Sequence, residues 1–223
     1  TWLLPPALGA FVAFSLTASA IYILNDLLDL AADRAHPVKR KRPFASGALP
    51  IIFGPPLALS LLAAGAVLGN FLPREFLAVL GIYAATTTLY SLYLKELVLV
   101  DVFCLAGLYT LRIFAGHAVS GIAHSQWLFT FSLFLFLSLA LLKRYTELLA
   151  LGEARQDGPP GRGYVAKDLD FVRVFGTASG YLSVLVFALY INSPQMAVLY
   201  ARPALLWLIC PLILYWISRI WLL

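Results

Sequence analysis

Polar residues are sparse along this chain and fall at intervals between long apolar runs. Seven runs stand out, at 4–31, 49–70, 75–94, 97–119, 126–150, 168–192 and 201–223. Each has about the 20 residues that an α-helix needs to cross a bilayer. No strand-like alternation recurs, and no soluble domain or low-complexity tract separates the runs. Pro50, Pro73 and Pro203 lie at segment starts or between segments, where a missing N–H costs least. Pro211 falls inside the last run and predicts a kink there. The pattern predicts an all-α fold, a polytopic membrane helical bundle of about seven transmembrane helices.

Composition agrees. The chain is 61% hydrophobic and 12% charged, with a mean hydropathy of +0.87, against about 45–50% and about 25% in soluble domains. The net charge of +5 needs no nucleic acid to explain it, because membrane proteins gather Lys and Arg in cytoplasmic loops. Seven alternating spans put 13 of the 16 basic residues on one side. Arg74 and Arg202 fall on the other, and Arg112 within the membrane. The basic side is therefore expected to be cytoplasmic, in a bacterial cell membrane. Cys104 and Cys210 stand alone in apolar runs and suggest neither a zinc site nor a disulfide. The chain starts at Thr1 and stops at Leu223 within an apolar run. It is expected to be one membrane domain, 1–223, truncated at both ends.

One polar stretch breaks the pattern. Asp26, Asp29 and Asp33 follow one another at i, i+3 and i+7, so on a helix they share a face, with Asn25 flanking them. Three carboxylates at a membrane boundary repel one another unless a cation shares the site. Oxygen ligands without His or Cys suit Mg²⁺, which commonly uses one or two carboxylates plus substrate phosphates. The sequel "HPVKRKRP" adds His36, Lys39, Arg40, Lys41 and Arg42, donors suited to phosphate oxygens. Acid, metal, phosphate and base would form an electrostatic sandwich around a diphosphate. A helix end followed by a positive-inside loop would account for the basic run, but not for aspartates on one face.

The stretch "NDLLDLAAD" (Asn25–Asp33) matches the NDxxDxxxD motif of the UbiA superfamily of intramembrane prenyltransferases, and "HPVKRKRPFASG" resembles its continuation. The resemblance runs from end to end. It implies a nine-helix family plan, of which this chain would carry helices two through eight. It also implies that Asp26, Asp29 and Asp33 hold Mg²⁺ and a diphosphate donor, and that the protein acts on a polyprenyl lipid. The family's second aspartate-rich motif is replaced here by "LLKRYTELLALGE", with Lys143, Arg144, Tyr145, Glu147 and Glu153. Together with "GRGY" (Gly161–Tyr164), this looks like the branch that transfers phosphoribose from phosphoribosyl diphosphate to decaprenyl phosphate. Prenyl transfer to an aromatic acceptor stays open as the alternative. A homo-oligomer and a fused phosphatase-like domain are compatible with the resemblance, and no nucleic-acid partner is expected.

The resemblance adds substrate-binding candidates: Asn25, Lys39, Arg40, Arg42, Tyr90, Lys95, Arg112, Lys143, Arg144, Tyr145, Glu147, Arg162 and Tyr164. Tyr90 and Lys95 match donor-phosphate contacts, or else belong to an interfacial aromatic belt. Arg112 is a functional candidate by depth, or else pairs with Asp101 or a backbone carbonyl. Asp101 is expected to pair with Lys95 or Arg112. His117 and His124 read as structural, and Asp168 and Asp170 as favouring a helix start. A transporter would need midplane charge spread over several helices. Here charge gathers at one set of helix ends.

Overall fold

The computed structural model describes residues 4–36, 38–122, 125–151, 162–193, 196, 200 and 202–222. Nine α-helices run in order among them. They are α1 Leu4–Leu28, α2 Leu30–Ala35, α3 Pro43–Ser46, α4 Gly54–Asn70, α5 Arg74–Leu92, α6 Val100–Ser120, α7 Gln126–Leu151, α8 Leu169–Ile191 and α9 Ile209–Trp221. No strand occurs among the described residues. Seven segments are long and apolar enough to span a membrane, and each overlaps one of the seven predicted runs. The protein is an integral-membrane helical bundle. Phe71, Ile52 and Tyr215 are among many large apolar side chains turned outward, the normal outer face of such a bundle.

Two predicted helices differ in detail. The first run does not continue as one helix to residue 31. α1 stops at Leu28, Asp29 takes φ −88° and ψ 8°, and α2 starts at Leu30. The break is slight, because Asp29 N–H still donates to Asn25 O at 2.9 Å and Asp33 N–H to Asp29 O at 2.9 Å. In the last run, Pro211 does not kink the middle of a helix. Pro203–Leu208 forms a 3₁₀ turn, and α9 begins at Ile209, with Pro211 in its first turn. A missing N–H is tolerated that close to a helix start.

The chain forms two compact units, residues 1–92 with 114–123 and residues 93–113 with 124–223. In the first, α1 packs closely along α4. Gly65 makes this possible, since a β-carbon there would sit 2.5 Å from Thr17 Oγ1 and 3.0 Å from Ala13 O. Small residues that let helix backbones approach are the usual glue of membrane bundles. Ala10, Ala13, Phe76, Leu80 and Ala115 form the adjoining core. Phe14 and Tyr83 meet with ring centroids 4.3 Å apart.

The second unit is built on α7 against α8. Gly176 and Gly180 leave room for Trp221, Ile217 and Ser138. Trp221 Nε1–H donates to Ser138 Oγ at 3.0 Å, and that hydroxyl donates to Gly176 O at 2.8 Å. Val102, Ala106, Leu141, Val172 and Tyr164 fill the core beside this polar pin.

Candidate functional site

The acidic stretch folds into a small cap at the end of α1. Asp26 sits in the last turn of α1, Asp29 at the break and Asp33 in α2, where its side chain is nearly inaccessible. The basic loop then turns back. His36 Nδ1 accepts the N–H groups of Val38 and Lys39 at 3.2 and 3.3 Å. Arg42 N–H donates to Lys39 O at 2.9 Å, and Arg34 Nε donates to Ala45 O at 3.3 Å. Gly47, at φ 81°, closes α3 in the left-handed conformation that glycine adopts freely. The buried Phe44 ring anchors the turn.

This folding delivers Arg42 onto the carboxylates. Its Nη1 lies 2.9 Å from Asp26 Oδ1 and 2.7 Å from Asp33 Oδ2. One nitrogen thus joins two aspartates that are seven residues apart in sequence. The structure places Asp29 between them, at the helix break. Among the described residues, no group of three His, Cys, Asp or Glu side chains converges as a metal cluster. Two of the three predicted carboxylates, Asp26 and Asp33, instead share the Arg42 guanidinium. That donor set fits Mg²⁺, a hard cation that accepts one or two protein carboxylates and fills its shell with phosphate and water oxygens. Asn25 is half-buried beside Asp26, while Lys39 and Arg40 project into solvent.

The second unit holds a polar cluster of a different kind. Arg144, Asp101 and Tyr164 are all essentially inaccessible. Tyr164 Oη–H donates to Asp101 Oδ1 at 2.7 Å and accepts the N–H of Leu99 at 2.9 Å. Arg144 Nε donates to Asp101 Oδ2 at 2.6 Å, and its Nη1 pairs with Glu147. Burial, and then the hydrogen bond to Asp101, push the Tyr164 hydroxyl well above its usual range, so it serves as a donor. Leu99 is the one non-glycine with positive φ among the described residues, at 66°. That conformation costs of order 1–3 kcal/mol, and the Tyr164 hydroxyl holds it. Residues 162–164 clamp the same loop twice more. Arg162 Nη1 donates to Lys95 O at 3.1 Å, and the Gly163 backbone lies so close to Glu96 O that a β-carbon would not fit.

Several predicted site residues therefore have unforeseen neighbours. Asp101 pairs with Arg144 and Tyr164, not with Lys95 or Arg112, because those partners reach it from α7 and from the strap before α8. Arg144, expected to contact substrate, is buried between two carboxylates, whereas Lys143 beside it is exposed. Arg112 lies over the Tyr109 ring, 4.9 Å from its centroid, and Tyr109 stacks on Phe136 at 5.2 Å. Tyr145 packs on Trp221, with centroids 5.8 Å apart. Tyr90, Lys95, Glu147 and Arg162 are half-buried. Asp168 Oδ2 accepts Val165 N–H at 3.0 Å, the helix-start role expected of it, and Asp170 pairs with Arg173 at 3.0 Å on the surface. Glu153, Arg155, Gly161 and His124 lie outside the described residues.

An all-helical membrane bundle with an acidic pair and a basic loop at one helix end defines the class. The chain belongs to the UbiA prenyltransferase family, whose model matches residues 2–223. It is 38% identical to the nodulation protein NoeC of Azorhizobium caulinodans, over 94% of this chain and 68% of that protein. It is 39% identical to the decaprenyl-phosphate phosphoribosyltransferase of Corynebacterium glutamicum, over 63% of this chain and 43% of that protein. The chain spans between 42% and 68% of the length of these and other curated relatives. A UbiA homolog from Archaeoglobus fulgidus, solved bound to DMAPP and Mg²⁺, shares the fold. Its TM-score is 0.78 at 16% identity, over 97% of this chain and 74% of that one.

Proposed function

We propose that this chain forms the catalytic membrane domain of a Mg²⁺-dependent transferase that moves phosphoribose from phosphoribosyl diphosphate to a polyprenyl phosphate. The observation that carries the reading is the pairing of Asp26 and Asp33 on one cation, at the mouth of a membrane helix and under a basic loop. Asp26 and Asp33 would hold Mg²⁺, with Asp29 between them contributing directly or through water. When bound, Mg²⁺ supplies positive charge to the departing diphosphate. Arg42, Lys39 and Arg40 donate hydrogen bonds to phosphate oxygens, stabilising the charge that develops as the leaving group departs. The bond from ribose C1 to the diphosphate oxygen breaks, and a bond from C1 to the lipid phosphate oxygen forms. Pyrophosphate is the product released.

The phosphoribosyl donor is favoured by the relatives named for that reaction. The alternative is prenyl transfer from a prenyl diphosphate to an aromatic acceptor, which the DMAPP-bound structural neighbour favours. The charged helix ends are taken to face the cytoplasm, where a soluble diphosphate is available.

The deciding experiment supplies membranes that carry the full-length protein with radiolabelled phosphoribosyl diphosphate and decaprenyl phosphate, or with a radiolabelled prenyl diphosphate. Label moving from phosphoribosyl diphosphate into lipid is the expected result. Label moving only from the prenyl donor would replace this reading with the alternative. Full activity in chelator-treated membranes would overturn the role of Mg²⁺.

A further inference from the structure

Arg42 occupies the carboxylate oxygens that a metal would need. Its Nη1 contacts Asp26 Oδ1 and Asp33 Oδ2, and the Asp33 side chain is only 3% exposed. A cation bound through those oxygens must displace at least one of these charge-assisted hydrogen bonds. We propose that Arg42 is an exchange residue that makes metal binding depend on the diphosphate. Without a phosphate, the guanidinium holds the two carboxylates and a divalent cation competes with it. When a metal and a diphosphate arrive together, the guanidinium transfers its hydrogen bonds from carboxylate to phosphate oxygens, and the metal takes the carboxylates. This inference rests on the diphosphate-binding role proposed above and adds an order to it.

Three features support the exchange. Arg42 is 37% exposed, so its guanidinium has room to turn, while the Asp33 that it releases stays buried and in place. The loop behind it is pinned independently of that contact, by His36 Nδ1, by the Arg34–Ala45 hydrogen bond and by Leu49 N–H to Pro43 O at 3.0 Å. Arg42 can therefore change partners without unfolding its turn. A guanidinium also serves carboxylate and phosphate equally well, because its fork of donors matches both. The coupling is reciprocal: whatever factor the diphosphate adds to metal affinity, the metal adds to diphosphate affinity.

The test measures binding, not turnover. Mn²⁺, a spin-active stand-in for Mg²⁺, is titrated into the full-length protein in lipid nanodiscs and followed by electron paramagnetic resonance, with and without inorganic pyrophosphate. The wild type should bind Mn²⁺ weakly alone and at least about tenfold more tightly with pyrophosphate, the equivalent of one charge-assisted hydrogen bond exchanged. Arg42→Gln should bind Mn²⁺ alone about tenfold more tightly than wild type and gain less than about threefold from pyrophosphate. Arg74→Gln removes the same charge from an exposed position at the start of α5 and should behave as wild type. If Arg42→Gln does not fold, Arg42→Lys carries the test, since an ammonium lacks the fork, and Mn²⁺ alone should then tighten at least about threefold.

The proposal is overturned if Arg42→Gln binds Mn²⁺ alone no more tightly than wild type, or if Arg74→Gln tightens it equally. Absence of Mn²⁺ binding to the wild type even with pyrophosphate would overturn the diphosphate reading itself. That result is distinct from failure of the exchange, in which the wild type still binds the pair.

Discussion

Lys143 and Arg144 are adjacent in sequence and have opposite surroundings: the first is exposed, while the second is buried on Asp101 and Glu147. Removing one partner of a buried ion pair strands the other charge. Arg144→Ala should therefore destabilise the protein by about 3–5 kcal/mol, whereas Lys143→Ala should stay within about 0.5 kcal/mol. Thermal unfolding in detergent checks both, and equal effects would show that Arg144 is not the structural hub. Tyr164→Phe removes the acceptor of Leu99 N–H and a donor to Asp101, and should cost about 1–3 kcal/mol for each group left unsatisfied. Because the folded state holds the Tyr164 proton more tightly than the unfolded state does, this contribution is complete below pH ~10 and declines as the pH rises above it. The wild type should therefore lose stability in the alkaline range more steeply than Tyr164→Phe does. In the acidic cap, Asp26→Ala, Asp29→Ala and Asp33→Ala should each abolish or greatly reduce turnover while the bundle stays folded. Transfer assays on folded variants decide this, and wild-type turnover in all three would remove the aspartates from the chemistry.

Helices were far more legible than partners. Apolar runs of bilayer length announce spanning segments, because a backbone in lipid must satisfy its own hydrogen bonds, and all seven runs became helices. The aspartate spacing was legible for the same geometric reason, since i, i+3 and i+7 share a helical face. The break at Asp29 and the 3₁₀ turn before α9 were not, because both depend on local dihedral choices that apolar composition leaves open. The Asp101–Arg144–Tyr164 cluster was also hidden, as its members lie 43 and 63 residues apart and no periodicity links them. Close helix approaches are equally hidden, because the sequence does not say which small residue meets which helix. The structure names one such contact, Gly65 of α4 against Thr17 and Ala13 of α1. Gly65→Val should force these helices apart and cost about 1–3 kcal/mol, the usual range for overpacking. Gly81→Ala, with nothing near its absent β-carbon, should be close to neutral. If the two variants unfold at the same temperature, the close approach of α1 and α4 contributes little to stability.

At the scale of the molecule, the distribution of charge bears on the orientation proposed for the acidic pair. The connections at 32–48, 95–96 and 151–167, with the helix ends beside them and the end of the last span, hold 13 of 16 basic residues, whereas Arg74 and Arg202 fall in connections of the other parity. A diphosphate donor carries several negative charges and cannot cross lipid unaided. Under the proposed function, the face that reads it would open to the cytoplasm, the side to which positive-inside bias assigns the basic residues. In that proposal a lipid substrate would arrive instead through the bilayer. This arrangement predicts a labelling pattern. In a Cys104→Ser/Cys210→Ser background, single cysteines at the exposed positions Lys41, Lys167 and Arg219 should react with a membrane-impermeant maleimide in inside-out vesicles. Cysteines at Arg74 and Arg202, also exposed, should react in right-side-out vesicles. Labelling of Lys41 and Arg74 positions from the same side would break the alternation of spans. Reaction of all five with sides exchanged would keep the spans and place the acidic pair outside the cell, where no cytoplasmic diphosphate could reach it.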